Sequence, residues 1–569
     1  MDFHSALQYA AFVVVATALV KPLGGYLARV FSRQPSWLDR ICSPIERLIY
    51  RLARVDPDRE MGFREYAGCF VLFGLSGTLV LYATLRLQHF LPFFFPQYQT
   101  TPLTPDLAMN TAISFSTTTT WQAYAGESTM SYFSQIVGLG VQNFLAGASG
   151  LAAGIAFIRG CARQRCESLG NFWVDLTRSL LWVLLPGALL GAVLLVGQGV
   201  PMNFHPYTEA TTLEGAKQVI PQGPVAAQQI TETLGTNGGG FFNVNAAHPY
   251  ENPTPLANLL LMLSIVLVPA ALTNTFGRMV RQPRQGWMLY AVMLVLFAAG
   301  LVVTHLAEYR GNPAFRNVDQ AYSRRQAGGN MEGKETRFGV AGSVLTVTVT
   351  SNTSTGSTNA QDDSYRPIGG MAPLTNMLLG EVVFGGLGGG LYGIVLIAVV
   401  TVFLTGLMVG RTPEYLGKRI GPPENKMIML YTLAAPVTIL TLTAIAVGTK
   451  WGLAGLTING GPHGFTAMLL AYASSFTNNG QTFASLSANT VFYNVTTAIA
   501  MMVGRFALAI PALALASLFA RQPNTPPTAG TLKTDSISFG LTLTATILIV
   551  GGLSYFPALT LGPILEHLR

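Results

Sequence analysis

Ten apolar stretches, each long enough to cross a bilayer, constrain this chain more than any other feature of it. They run at about 5–31, 65–88, 131–158, 172–197, 255–278, 286–307, 391–410, 427–449, 490–519 and 536–560. A helix of roughly 20 apolar residues spans the hydrocarbon layer, where every backbone N–H and C=O must be satisfied internally. The pattern predicts an all-α polytopic membrane protein with ten transmembrane helices. Composition agrees: half of the 569 residues are hydrophobic and only 11% are charged, where a soluble domain carries about a quarter. The first stretch is long enough to remain as a span, so no cleaved leader is expected.

A net charge of +8 would suit nucleic acid, but the placement of the basic residues gives it another meaning, and no nucleic-acid partner is expected. Segment 32–64 holds Arg33, Arg40, Arg47, Arg51, Arg54, Arg59 and Arg64. The alternate connections are basic too: Arg159, Arg163 and Arg165; Arg278, Arg281 and Arg284; Arg411, Lys418, Arg419 and Lys426; Arg521 and Lys533. The intervening loops 89–130, 198–254 and 450–489 hold almost none beyond Lys217 and Lys450. Short cytoplasmic loops collect Lys and Arg, so the first set is predicted inside and both termini outside. Loop 308–372 is long, and long loops escape the rule. Its stretch "VAGSVLTVTVTSNTSTGSTNA" is rich in β-branched residues and reads as an exposed, hairpin-like external element. Four cysteines make no disulfide framework, and Cys161 and Cys166 lack partners for a metal. The seven histidines are scattered and read as surface or packing residues.

Between the spans one order of parts recurs four times. An outward crossing leads to an external loop, which ends in a semi-apolar segment of about a dozen residues. A polar or Gly-rich turn follows, then an inward helix. The segments are "TPDLAMNTAI", "QGPVAAQQITET", "GGMAPLTNMLLGE" and "GPHGFTAMLLAYASS"; the turns are "SFSTTTTWQA" (114–123), "LGTNGGGFFN" (234–243), "VVFGGLGGGLYG" (382–393) and "FTNNGQTFAS" (476–485). This predicts four linked, channel-like helix–pore loop–helix repeats around one pseudo-fourfold pore, with one extra helix at each end. The divisions are 1–64, the N-terminal helix and basic loop; 65–165, 166–285, 286–426 and 427–520, the four repeats; and 521–569, the C-terminal helix.

Non-helical backbone survives at membrane depth only inside protein or against a water-filled cavity. A half-helix entering from outside aims its partially negative C-terminal end at the centre, which favours a cation. The turn that follows can point carbonyl oxygens inward to replace the ion's water, in conformations that Gly reaches cheaply and Asn tolerates. A large dehydrated monovalent cation fits such a site, whereas a small divalent one would recruit carboxylates, and these turns contain none. Close helix packing through small residues is the competing account of a single Gly turn, strongest for "GGLGGGLYG" taken alone. Four turns at corresponding positions favour the pore.

At "TNGGGFFN…HPYENPTPL", "GEVVFGG…GGLYG", "VGRTPEYLGKRI" and "SSFTNNGQTFA" the chain closely resembles the potassium-binding subunit of bacterial Kdp-type potassium-transporting ATPases. The resemblance extends over essentially the whole chain. It implies a pore related to the Trk and Ktr potassium transporters, in the plasma (inner) membrane. It also implies a complex with a P-type ATPase catalytic subunit, with a further, single-span subunit, and with a small accessory membrane peptide, besides membrane lipid. Potassium is the implied ligand, taken up at low external levels at the expense of ATP. Carried over position by position, the selectivity filter comprises Thr118, Thr119 and Thr120 with Gln122; Thr236, Asn237 and Gly238; Phe384, Gly385 and Gly386; and Asn478, Asn479 and Gly480. The first turn lacks glycine, so four equal contributions are not expected. The family further implies a sideways exit toward the ATPase subunit, and the Gly-rich start of the third closing helix, on to Gly406 and Gly410, would suit an interrupted helix that blocks direct passage.

Arg505 lies in mid-span, where an arginine is costly and a functional candidate; a charge barrier, a partner contact, an ion pair and a backbone-bonded arginine are all open. Glu381, before the third turn, and Glu232, before the second, would either enrich cations near the mouth or cap packing through hydrogen bonds, the latter slightly favoured for Glu232. Arg411, with Glu414, Lys418 and Arg419, would contact a soluble domain or simply anchor the loop. "LGKRI" lacks the Gly and Ser/Thr of a phosphate-binding loop, and the Asp-Lys-Thr-Gly string of P-type ATPases does not occur. No nucleotide binding and no ATP hydrolysis are expected of this chain itself. A free-standing potassium channel or cation symporter with the same filter is the alternative function, and a membrane scaffold without an ion site is a second.

Overall fold

The computed structural model describes residues 3–90, 101–315, 317–323, 326, 328–380, 382–410, 412–526 and 531–569. Among them ten helices are long and apolar enough to cross a membrane. The elements used below are α1 (Phe3–Phe31), α2 (Asp39–Ala53), α3 (Phe63–Leu87), α4 (Pro105–Ser116), α5 (Ser134–Ala162), α6 (Phe172–Gly197), α7 (Val225–Leu234), α8 (Pro255–Met279) and α9 (Pro283–Tyr309). They continue with α10 (Gly339–Asn352), α11 (Pro367–Leu378), α12 (Gly389–Val409), α13 (Pro422–Gly448), α14 (Gly461–Phe476), α15 (Val491–Arg521) and α16 (Ile537–Leu568).

Ordinary start signals set the ends of the long helices. Thr254, Thr490 and Ser536 cap α8, α15 and α16 by accepting from the amides of Ala257, Tyr493 and Phe539, satisfying N–H groups that have no partner in the first turn. Proline opens α8, α9 and α13, where its missing N–H costs nothing. Among the described residues, strands form three two-stranded ribbons, 61–62 with 168–170, 208–211 with 217–220 and 414–415 with 418–419. Helices α5 and α8 are buried over most of their length, while α1, α3, α13 and α16 turn most of their surface outward. Leu79 and Val80, Leu433 and Val437, and Leu548 and Leu553 are among the exposed apolar groups on these outer helices.

One order of elements is seen four times: long helix, short buried helix, tight turn, long helix. The sets are α3–α4–α5, α6–α7–α8, α9–α10 with α11 and α12, and α13–α14–α15. Helix α1 packs on α8, and α16 on α9 and α12, outside these sets.

The third set corrects two expectations. The Ser/Thr/Val stretch of loop 308–372 is not an exposed hairpin: 339–352 is helix α10, buried almost throughout. Its hydroxyls fold back onto its own turns, Ser343 Oγ onto Gly339 O at 2.9 Å and Ser351 Oγ onto Thr348 O at 3.3 Å. Such back-bonding hides polar atoms in a buried helix, and tertiary burial overrides β-branched propensity. Second, "GGMAPLTNMLLGE" is not the short helix before a turn. Its helix α11 and the following α12 are two pieces of one interrupted crossing, separated by 379–388, where Gly388 takes φ +98°.

Candidate ion-binding site

Turns of one geometry close the four short helices, at 117–120, 235–238, 353–356 and 477–480. The second residue of each is left-handed: Thr118 (φ 66°), Thr236 (52°), Ser354 (52°) and Asn478 (55°). So is the fourth: Thr120 (49°), Gly238 (72°), Gly356 (78°) and Gly480 (99°). The third residue's amide points back into the short helix: Thr119 N to Ser114 O at 2.9 Å, Asn237 N to Glu232 O at 2.8 Å, Thr355 N to Thr350 O at 3.2 Å and Asn479 N to Ser474 O at 2.8 Å. The fourth amide follows in Thr120 and Gly238, onto the same carbonyls, and in Gly480, onto Ser474 Oγ at 2.9 Å. Across a trans peptide a carbonyl points opposite to the next N–H. With these N–H groups turned toward the short helices, the carbonyls before them leave on the far side.

Those carbonyls meet the neighbouring turn. A Cβ added to Gly238 would lie 1.5 Å from Thr355 O, one on Gly356 2.0 Å from Asn479 O, and one on Gly480 2.3 Å from Thr119 O. A Cβ on Gly239 would lie 2.2 Å from Thr120 Cγ2, which brings the first turn against the second. The second turn thus abuts the third, the third the fourth, the fourth the first and the first the second. This closed ring lies between two cavities. A wide one of about 710 Å³ is lined by Thr120, Gly239, Gly356 and Gly480, together with Gln122 and Asp362. A narrow one of about 20 Å³ is lined by Thr118, Thr236, Ser354 and Asn478, with Gly386 and Arg505.

Side chains hold the backbone behind the ring. Asn479 Nδ2 donates to Thr350 O at 2.9 Å, joining the fourth turn to α10. Asn478 Nδ2 donates to Thr119 Oγ1 at 2.9 Å and Met501 O at 3.1 Å. The Asn237 amide, in the orientation that satisfies both its ends, donates to Gly235 O and Asn143 O. Hydroxyl pairs 2.8 Å apart recur in the first and third turns, Thr117 with Thr119 and Thr353 with Thr355. Gln122 grips the second mouth segment from both sides, donating to Gly240 O at 2.9 Å and accepting from Gly240 N at 3.0 Å.

Thr118, Thr119, Thr120, Thr236, Asn237, Gly238, Asn478, Asn479 and Gly480 therefore come together, with Gln122 at the wide mouth. Phe384, Gly385 and Gly386 do not join the ring. Their loop lies against its narrow side, with Gly386 N donating to Thr353 O at 2.8 Å and Leu387 N to Thr236 Oγ1 at 3.0 Å. Glycines of α5 admit that loop: a Cβ on Gly150 would lie 2.6 Å from Leu387 O, and one on Gly154 2.6 Å from Gly388 Cα. The residues missed by sequence reasoning are Thr353, Ser354, Thr355 and Gly356. "TSTG" has the spacing of "TNNG" and "GTNG", and that likeness was the available signal. Glu381 and Arg411 lie outside the described residues.

Arg505, on α15, borders the narrow cavity. Its guanidinium donates to Thr118 Oγ1 at 3.1 Å, Ala146 O at 2.8 Å and Ser149 Oγ at 3.1 Å, and lies 5.5 Å from the Phe70 ring centroid. Glu232 is fully buried behind the second turn and accepts from Gln228 Nε2 at 2.9 Å. At the wide mouth Asp362 accepts from Gln481 Nε2 at 2.9 Å, next to Gly480. Burial pushes the Asp362 carboxyl up to about 7, and Asp363 adds to this, while the Gln481 hydrogen bond and Lys334 oppose it. Lys334 is itself buried, 2.9 Å from Glu308 Oε2. Burial likewise raises Glu251, behind the second mouth segment, to about 8 against the hydrogen bonds from the Phe242 and Phe241 amides.

The arrangement offers a ring of backbone oxygens and no carboxylate in the ring itself, which suits a monovalent cation. Comparison with known proteins agrees in fold and family. The chain is 52% identical over 567 residues to the potassium-transporting ATPase potassium-binding subunit of Methylorubrum extorquens, covering 100% of this chain and 98% of that one. It is 51% identical over 580 residues to the protein of the same name from Sorangium cellulosum, covering both chains fully. In fold it is similar to the crystal structure of the potassium transporter TrkH from Vibrio parahaemolyticus, with a TM-score of 0.51 and 14% identity over 89% of this chain and 97% of that one. The family model for the potassium-transporting ATPase A subunit matches residues 10–568, and the chain belongs to that family.

Proposed function

We propose that this chain is the potassium-binding and translocating subunit of an ATP-driven uptake complex, with the ring of four turns as its selectivity filter. The observation that carries this reading is the alternation of left-handed residues at the second and fourth positions of all four turns; it supports carbonyl oxygens turned away from the short helices and toward the neighbouring turns of the ring. Carbonyls so held replace the hydration shell of a large monovalent ion. The four short helices end at the same place, and their partially negative C-termini favour a cation there.

The filter comprises 118–120, 236–238, 354–356 and 478–480. Ions enter from the wide cavity, which faces outward because the basic connections lie at the other end of the spans; both termini then lie outside the plasma membrane. Beyond the ring they meet the 384–388 loop and Arg505, which together disfavour straight passage and support a sideways route to a P-type ATPase catalytic subunit. That subunit hydrolyses ATP, and a further single-span protein with a small accessory peptide completes the complex.

The test is ATPase activity of the purified complex against potassium concentration, in wild type, Gly238→Asp and Gly480→Ala. Half-saturation that moves upward, or activity that begins to respond to rubidium or sodium, supports the filter. Unchanged dependence in correctly assembled variants overturns it. Potassium flux through liposomes holding this chain alone would instead establish a free-standing transporter.

A further inference from the structure

The ion path makes no use of α2, yet this short helix is built with three distinct faces. Cys42, Glu46 and Tyr50 recur every four residues and are buried. They fix α2 to α6: Glu46 Oε1 lies 2.9 Å from Arg178 Nε, Tyr50 donates to the same carboxylate at 2.6 Å, and Cys42 Sγ reaches Leu181 O at 3.4 Å. Ile41, Ile45, Leu48, Ile49 and Leu52 form a second face and are all exposed. At about 100° per residue they span roughly 100° of the helix. Leu52 is 75% exposed, and Trp37, just before the helix, 76%. Arg40, Arg47 and Arg51 form the third face, also exposed.

Two features say what covers the apolar stripe. The anchoring residues Arg178 and Leu181, with Trp182, whose Nε1 donates to Asp39, lie within about three turns of Leu185, Leu189 and Leu190, where α6 presents exposed leucine outward. The stripe thus continues the lipid-facing surface of that span, at the end where the basic connections lie. The outward charge of α2 is also of one sign. Asp39 accepts from Ser36 N and Trp182 Nε1, and Glu46 faces Arg178, so both carboxylates are taken up inward while the arginines remain outside. An aliphatic face bordered by arginine is complementary to a bilayer surface with anionic headgroups.

We propose that α2 is an interfacial helix that rests on the bilayer surface, with Ile41, Ile45, Leu48, Ile49 and Leu52 at the acyl boundary and Arg40, Arg47 and Arg51 on anionic lipid headgroups. It ties the α1–α3 connection to the membrane and gives the chain a lipid preference at that end.

Leu48→p-benzoylphenylalanine, introduced in the full chain within its membrane complex and irradiated, is expected to yield adducts of phospholipid mass. Adducts to another polypeptide or to a second copy of the chain overturn the proposal, and so does an intact, unmodified helix after irradiation. A second measurement tests the headgroup. Quenching of Trp37, taken as the difference between wild type and Trp37→Phe, is read in vesicles with brominated phosphatidylglycerol or brominated phosphatidylcholine. The anionic lipid is expected to quench at least about twofold more, and Arg40→Gln, Arg47→Gln and Arg51→Gln combined to remove the excess. Equal quenching by the two lipids overturns the anionic preference.

Discussion

At Gly356 a single added methyl group would fall 2.0 Å from Asn479 O, well inside contact distance, and on a backbone already left-handed at φ 78°. Gly356→Ala must therefore move a carbonyl of the ring. At Gly386, by contrast, the nearest atom to an added Cβ is Thr236 Oγ1 at 3.9 Å, and the cost there is the left-handed backbone, about 1 kcal/mol. The expected outcome is that Gly356→Ala raises half-saturating potassium by about thirtyfold, the equivalent of roughly 2 kcal/mol, while Gly386→Ala changes it less than about threefold. Potassium-dependent ATPase titration of the two assembled variants checks this, and the reverse order would return the third turn to 384–386. The contrast also shows what the residues announced. Asn478-Asn479-Gly480 and Thr236-Asn237-Gly238 interrupt apolar runs with groups that favour positive φ, so they stand out. Ser354-Thr355-Gly356 follows a helix of Val and Thr whose local preference is for strand, while the Gly-rich 384–390 segment nearby carries the composition of such a turn without joining the ring.

The elements around the mouth place a titratable carboxyl beside the ring. Asp362 belongs to the segment between α10 and α11, and through Gln481 it touches the turn that ends α14. Burial raises its carboxyl to about 7, so between pH 6 and 8 it gains its charge beside the wide cavity. A negative charge there attracts cations by roughly 0.5–1 kcal/mol at surface-like dielectric. Half-saturating potassium is expected to fall about two- to fourfold from pH 6 to pH 8, and Asp362→Asn to flatten that dependence. An unaltered pH profile in the variant removes Asp362 from the account. The sign for stability is opposite. A carboxyl raised above its ordinary value contributes stability that is present at low pH and lost as pH rises to about 7. The ten spans themselves were legible because hydrocarbon thickness sets a length and backbone pairing sets the helix. The burial of α10, and the split of one crossing into α11 and α12, were not, since both depend on contacts with segments remote in sequence.

Across the whole molecule, three distant parts meet at His463. Its Nε2 lies 2.6 Å from Asp363 Oδ1 and its Nδ1 2.9 Å from Glu566 Oε1, joining the loop of the third set, the start of α14 and the last turn of α16. Asp363 in turn accepts from Ser485 N at 2.8 Å and Ser485 Oγ at 3.2 Å, beyond the fourth turn. Burial opposes a charge on His463, but the hydrogen bonds to Asp363 and Glu566 overcome it and raise the imidazole to about 9. The Asp363 carboxyl is held below its ordinary range by His463 and Ser485, against the pull of burial. A histidine raised in the folded state contributes stability that is complete below about 6.5 and lost as pH climbs through about 9. The carboxylate contributes in the other direction, and its share is lost only in acid. The clamp is therefore whole at neutral pH and opens on the alkaline side, with a loss on the order of 1–3 kcal/mol. The thermal midpoint of the purified chain is expected to fall between pH 7 and pH 10, and His463→Gln to start lower and lose most of that slope. If the variant keeps the wild-type slope, other groups govern the alkaline response. Hydrogen exchange of the C-terminal peptide then separates the two cases, because release of Glu566 frees the end of α16 before the rest of the molecule loosens.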